Sequence, residues 1–306
     1  AGHFKVVPYV IGRLTEYSNS PTGSVENRLF GAGGARFTTS FWKTDPTAES
    51  DLFDIHQMRH VIEPELNLFS AATTVDRSKL FLYDVPVDAI NDTSAVDVGV
   101  RQRWQTQRGG PGRWRSVDVF TLDLDAEFYA NKPSPKFLNP IDFRGLYFTS
   151  LPETSIPRNA LNGNASWRLT DNTVVLADAQ YNLDKDKLAT AAVGVLVRRD
   201  VVESYYVGNR YIADLNSNIV SIQANYQISP KYSVGFGQSF DFGLGKDVAS
   251  NISVVRSFDR FIMAFTFSHD QISNETGFSF NISPIGFGAQ GSQGIGSSAL
   301  QGPFRR

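Results

Sequence analysis

The residues of this chain best equipped for proton transfer or metal binding are its four histidines, His3, His56, His60 and His269. His56 and His60 are four apart, with Glu63 and Glu65 close behind, the spacing of a helical metal pair. His60, however, lies at the start of Arg59-His-Val-Ile-Glu-Pro-Glu-Leu66, which reads as a strand, so the spacing does not put both rings on one face. Ser268-His269-Asp270 suggests a hydrolytic trio, but neighbours on a strand point to alternate faces and cannot relay a proton among themselves. A partner such as Asp241 from another strand would be needed. Gly243-Leu-Gly245-Lys246 fails as a phosphate loop, because Phe240 stands where the first glycine belongs and Asp247 where Ser or Thr is required. No catalytic group, metal or cofactor is expected, and the chain reads as a non-enzyme.

A second set of polar residues carries a different chemistry. Arg101 and Arg103 alternate along one segment, Asp123, Asp125 and Glu127 along the next, and Glu63 and Glu65 along the one before. Asp178, Gln180, Arg198, Gln223, Asn225 and Asp241 recur with the same alternation further on. Taken singly these are cross-strand ion pairs or surface polars, each contributing roughly 0.2–1 kcal/mol. Taken as a wall they would line an aqueous lumen that passes a charged, amphipathic solute.

The elements that must position them follow from the period of the pattern. In 218–228 the even positions are Asn218, Val220, Ile222, Ala224, Tyr226 and Ile228, and the odd ones Ile219, Ser221, Gln223, Asn225 and Gln227. In 232–242 Tyr232, Val234, Phe236, Gln238, Phe240 and Phe242 oppose Ser233, Gly235, Gly237, Ser239 and Asp241. This is period two, a strand with one apolar and one polar face. Strands of about ten residues alternate tight turns, near Asp171, Arg199, Pro230 and Asp259, with somewhat longer links at 184–187, 213–216, 243–248 and 270–275. Further strands are expected at about 2–12, 29–42, 59–70, 94–105, 113–130 and 160–170, for a total of about fourteen. Long connections fall at 13–28, 71–93 and 131–159, the last holding Pro133, Pro135, Pro140, Pro152 and Pro157. From Pro284 the pattern dissolves into a Gly/Ser/Gln-rich stretch, so residues 1–283 read as the folded part and 284–306 as a flexible tail.

Composition narrows the class. The charge is 29 Lys+Arg against 31 Asp+Glu, net −2, which gives no basic footprint for nucleic acid. Cysteine is absent, removing disulfides and thiol catalysis together. The longest apolar run, Ala191-Ala-Val-Gly-Val-Leu-Val197, is far short of the roughly 20 residues of a membrane-spanning helix. No signal peptide is expected at the start, where Gly2–Val10 already reads as strand.

An antiparallel meander with one apolar face is either a soluble sandwich with that face inside, or an up-and-down transmembrane β-barrel with it turned to lipid. Strands of ten or more residues fit a bilayer crossing of roughly 9–11. Trp167, Tyr226, Tyr232, Phe258 and Phe261 lie near the tight turns, where an interfacial girdle would sit. The expectation is an all-β outer-membrane barrel in contact with outer-membrane lipids, with a soluble β-rich carbohydrate-binding protein or hydrolase as the rival.

Met58-Arg-His-Val-Ile-Glu-Pro-Glu-Leu-Asn-Leu-Phe69 resembles the R-H-x-x-x-P-x-L strand of the lipopolysaccharide-assembly outer-membrane protein family LptD (organic solvent tolerance family). Asp88–Arg103 is similar to that family's acidic loop and following strand, and 203–211 with 222–232 to its closing hairpins. The resemblance spans about 29–282 and implies the C-terminal portion of a larger barrel of about twenty-six strands. It further implies that lipopolysaccharide is handed over by a periplasmic bridge protein and leaves sideways through a seam. An LptE-like lipoprotein plug in the lumen and folding by the barrel-assembly machinery are implied too. The last-strand half of that gate would be Thr276, Phe278, Phe280 and Ile282, a short strand weakened by Gly277 and by Pro284 just beyond it. The alternative is a self-contained fourteen-stranded channel or hydrophobic-solute transporter.

Overall fold

The computed structural model describes residues 4–81, 83, 88, 91–131, 158–199, 202–271 and 274–285. The proline-rich link and the stretch from 286, expected as a loop and a flexible tail, lie outside the described residues. Among the described residues, fifteen strands form one antiparallel up-and-down sheet. They are β1 (Lys5–Tyr17), β2 (Glu26–Thr38), β3 (Phe41–Ser50), β4 (Ile55–Thr73), β5 (Thr93–Arg108), β6 (Arg115–Asn131), β7 (Ala160–Arg168) and β8 (Thr173–Asn182). There follow β9 (Lys187–Arg199), β10 (Glu203–Ile212), β11 (Ser217–Ser229), β12 (Tyr232–Asp241), β13 (Lys246–Ser257), β14 (Phe261–Asp270) and β15 (Glu275–Pro284). Hydrogen bonding follows chain order from β1 to β15, except that β3 stands off the path and pairs with β4. The all-β, antiparallel architecture expected from the period is the one present.

The strand count differs from fourteen because of β3. Phe41-Trp-Lys-Thr-Asp-Pro-Thr-Ala-Glu-Ser50 lacks alternation and contains Pro46, which reads as loop. Its ladder with β4 has a bulge between Asp45 and Glu49, so the missing proline amide falls where no ladder bond is due. Asp45 Oδ1 accepts from the Thr47 amide (2.9 Å) and hydroxyl (2.7 Å) to close that bulge. Pro64 is tolerated in mid-sheet for a related reason. Its carbonyl accepts from the Thr39 amide (3.3 Å), so its nitrogen faces the same side, the break at 39–40 between β2 and β3. The expected long connection at 13–28 shrinks to 18–25, because β1 runs on to Tyr17 and pairs it with Glu26.

The chain divides into two compact units, residues 1–165 with 178–190, and residues 166–177 with 191–306. In the first, β4, β5 and β6 are long, at 19, 16 and 17 residues. An apolar cluster of Phe30, Ala32, Phe69, Ala71 and Ala95 is buried on the polar-face side near the connections 18–25 and 74–92, with Tyr9 and Tyr129 packed against it. Tyr9 stacks on Phe69 at 6.4 Å and donates to Leu68 O (3.2 Å). It lies over Gly34, where any Cβ would strike the Tyr9 ring and the Leu68 carbonyl. In the second unit the Tyr206 ring covers Gly194 and Gly208 in the same manner. An aromatic ring laid over backbone shields the ladder at positions that lack side chains of their own.

Gly34→Ala should therefore lower stability by about 1–3 kcal/mol through overpacking. Gly31→Ala, with open space around its Cβ position, should be neutral. Urea unfolding midpoints of the two variants in detergent micelles check this.

Candidate functional site: the ionic face of strands β4 to β8

Residues directly opposite one another on paired strands share a face. Across β4, β5 and β6 that rule gives four polar rows: Asn67–Asp97–Glu127, Glu65–Gly99–Asp125, Glu63–Arg101–Asp123 and Val61–Arg103–Thr121. Arg36 of β2 joins the first row, opposite Asn67, and Thr38 the second, opposite Glu65. The structure thus brings Glu63, Glu65, Arg101, Arg103, Asp123, Asp125 and Glu127 onto one wall, with the Arg103–Glu63 pair at 3.0 Å and Arg101–Asp123 at 3.3 Å. Six carboxylates (Glu63, Glu65, Asp97, Asp123, Asp125, Glu127) face three guanidiniums (Arg36, Arg101, Arg103), so the wall is acidic. Gly99 keeps it passable to side chains, since a Cβ there would press on Asp125 and Glu65.

The intervening positions form five apolar rows: Leu68–Val96–Phe128, Leu66–Val98–Ala126, Pro64–Val100–Leu124, Ile62–Gln102–Leu122 and His60–Trp104–Phe120. Their accessibility is the reverse of a soluble protein's. Asp97, Asp125 and Glu127 are 1%, 5% and 4% exposed, while Val98, Leu124 and Phe128 are 49%, 42% and 46% exposed. From Val96 to Trp104 the apolar band is nine residues, roughly 30 Å along the strand and about 23 Å once tilted. It ends in stacked aromatics, with His60 on Trp104 at 4.2 Å and Trp104 beside Phe120 at 5.1 Å.

Asp178 and Gln180 belong to the first unit as well. Gln180, 1% exposed, donates to Asn162 Oδ1 (2.9 Å), and Asn162 donates to Asp125 Oδ2 (2.7 Å). Sequence reading missed Asn162, which sits in Leu161-Asn-Gly-Asn with no charge to mark it. It also missed Arg36 as a wall member, although its alternation with Phe37 was the available signal. Asp88 is held by Tyr17 donating to its Oδ1 (2.6 Å) and Arg28 donating to its backbone O (2.9 Å), and Asp76 lies in the same connection between β4 and β5. In that link Asp76 caps a 3-10 turn, and hydrogen bonds from Ser78 hold its carboxyl below the usual range.

In the second unit Gln223 and Asn225 lie on the polar face, in the rows Tyr206–Gln223–Gly237–Asn251–Ser268–Gly277 and Ser204–Asn225–Gly235–Ser253–Thr266–Ser279. These two rows carry no carboxylate and no guanidinium, unlike those of the first unit. Arg198 is the penultimate residue of β9 and is exposed. Asp241 does other work: its carboxylate accepts from Ser217 Oγ and from the amides of Asn218, Gly243 and Leu244, closing the turn after β12. It therefore gives His269 no partner. That ring meets Thr276 Oγ1 (2.9 Å), and Ser268 and Asp270 point away from it. His56 and His60 both lie in β4, but a left-handed Gln57 (φ 61°) kinks the strand between them. Each ring packs on its own tryptophan, Trp114 or Trp104, and no metal-holding group occurs among the described residues.

Thr276, Phe278, Phe280 and Ile282 share the apolar face of β15. The expected short, weak strand is not found: β15 is ten residues long, and its ladder with β14 runs unbroken from Glu275–Asp270 to Pro284–Phe261. Gly277 pairs normally, and Pro284 falls at the terminal rung, where no further amide is required. Near the tight turns, Tyr226 and Trp167 are exposed, and Arg256 lies over the Tyr232 ring (5.2 Å) and the Phe258 ring (4.4 Å).

No protein-family model matches the chain, and no curated protein sequence matches it. Among solved structures it is similar to a triple mutant of the Rhodopseudomonas blastica porin, at 12% identity and TM-score 0.41, covering 92% of this chain and 99% of that one. Another mutant of that porin gives 11% identity and TM-score 0.40 with the same coverage.

The Asp125–Asn162–Gln180 relay is buried, so Asn162→Leu strips partners from two polar groups at once. It should cost about 1–3 kcal/mol. Thr121→Ser on the same wall should be silent, and thermal melts in detergent compare the two.

Proposed function

We propose that the chain is a non-enzymatic outer-membrane β-barrel channel, with the apolar face of the sheet in lipid and the ionic and amide face lining an aqueous passage. The observation that carries this is the inverted burial on single strands, where Asp123 and Asp125 are enclosed and Leu124 between them is exposed. A soluble sandwich or hydrolase would do the opposite, burying Leu124 and Phe128 and hydrating the carboxylates. The aromatic-bounded band of about 23 Å matches the roughly 25 Å apolar belt of outer-membrane barrels. An acidic wall with arginines opposite favours passage of cations and zwitterions over anions through this part of the lumen.

The second reading is the lipopolysaccharide translocon of the LptD type, with its lipoprotein plug and periplasmic bridge as partners. What favours it is that the two motif-bearing segments, 58–69 and 88–103, include strands β4 and β5, which are hydrogen-bonded neighbours from Arg59–Gln105 to Ala71–Thr93.

Leu124 occupies the middle row of the apolar band, so Leu124→Arg should cost about 2–4 kcal/mol of folding into liposomes, while Asn225→Arg on the polar face should be mild. Reconstitution in planar bilayers should give discrete ohmic current steps. Cooperative folding in detergent-free buffer would overturn the membrane reading. Silent bilayers, together with lipopolysaccharide crosslinks to the polar face, would replace the channel with the translocon.

A further inference from the structure

We propose that the second unit binds the phosphate of a membrane glycerophospholipid on Arg256, at the tight-turn end of its apolar face. The inference rests on the membrane reading of that face. Register places Arg256 there: its rung is Tyr232–Arg256–Met263–Ile282, next on the same face to the rung Val234–Val254–Phe265–Phe280. Among the described, paired residues of β10 to β15 it is the one arginine or lysine on that face. Its guanidinium lies 5.2 Å from the centre of the Tyr232 ring and 4.4 Å from that of Phe258. Phe258 is held in turn by stacking on Phe261 at 4.3 Å and by its amide, which donates to Phe261 O (2.9 Å).

A cation on a lipid-facing surface is costly unless it meets the headgroup layer or a counter-charge. Among the described residues Arg256 forms no ion pair with a carboxylate. The two rings hold the guanidinium but are neutral, so its charge is left to be balanced from outside the chain. Glu203 lies on the adjacent rung, three strands away, and accepts from the Tyr205 hydroxyl (3.2 Å). The turns on either side of β12 and β13 stand together, the Ser257 amide donating to Lys231 O (2.8 Å). They carry two exposed cations, Lys231 and Arg260, against one exposed carboxylate, Asp259, so the field at this end favours an anion. A phosphodiester at the membrane surface supplies it. The planar fork of Arg256 can grip two phosphate oxygens, and the Tyr232 hydroxyl on the same rung can donate to one. The acyl chains then lie along the exposed rungs Val254–Phe265–Phe280 and Ile252–Phe267–Phe278. Outer-membrane barrels keep their short turns on the periplasmic side. The leaflet there is glycerophospholipid, which decides against the lipid A phosphates of the other leaflet.

The full chain, refolded in detergent, is titrated with dioleoyl phosphatidylglycerol and read by native mass spectrometry. Heat-modifiable gel mobility confirms the fold of each variant. Saturable binding of phosphatidylglycerol is expected, and none of dioleoylglycerol, which lacks the phosphate. Arg256→Gln should weaken it about tenfold, the scale of one charge-assisted bond. Arg256→Lys should recover part of the loss, and Tyr232→Leu, which removes a ring and a hydroxyl, should weaken binding as well. Lys246→Gln, which removes a charge from the other end of β13, should change nothing. Equal losses in Lys246→Gln and Arg256→Gln would reduce the effect to general charge attraction and overturn the site. So would no saturable binding, unchanged binding in Arg256→Gln, dioleoylglycerol binding as tightly as phosphatidylglycerol, or tighter binding of lipid A. Cooperative folding in detergent-free buffer would sink the membrane reading and the site with it. A chain that folds only in detergent or liposomes and binds no phosphatidylglycerol would sink the site alone.

Discussion

Everything in the first unit depends on how carboxylates that are almost wholly enclosed, beside guanidiniums that are partly so, can be stable on strands whose other face is exposed hydrocarbon. Enclosing charge costs several kcal/mol per ion unless it is paired and hydrogen-bonded. The sheet meets that cost by register. Because β4, β5 and β6 are in step, Glu63, Arg101 and Asp123 stand in one row, and Arg103 reaches Glu63 at 3.0 Å. A slip of one residue would turn Asp123 and Asp125 outward and bring Leu124 and Leu122 onto the wall. The apolar band and the ionic wall therefore fix the same register from opposite faces.

That coupling explains why so much was legible in the sequence. Alternation gives the faces without any knowledge of pairing, so Arg101, Arg103, Asp123, Asp125 and Glu127 could be assigned to one wall from spacing alone. What alternation does not give is which residue across the sheet receives a given side chain. Asn162 is the clearest case: its importance comes from standing between Asp125 and Gln180, residues 37 and 18 positions away in the chain. Asp241 fails in the other direction. Its spacing fits the polar face, but it lies one residue from a turn whose free amides compete for the carboxylate and win.

The irregular elements were illegible for a common reason. β3 owes its strand conformation to the spare first half of β4, which would otherwise present unpaired backbone groups. Its own sequence, with Pro46, two acids and a lysine, carries features that blunt an edge rather than signal a strand. Tertiary pairing overrides propensity there. The same applies to Pro64, which sequence rules would remove from a central strand and which survives because its neighbour on that side is interrupted.

The two units solve the problem of a polar face differently, and the difference bears on what each can do. In the first, charge is dense and the wall is held by ion pairs and a buried amide relay, so its side chains are committed to one another. In the second, the rows through Gln223 and Asn225 are built from Ser, Thr, Gly and amides, with Tyr206 lying flat over two glycines. Those rows carry no carboxylate and no guanidinium, so no buried charge in them has to be offset by register.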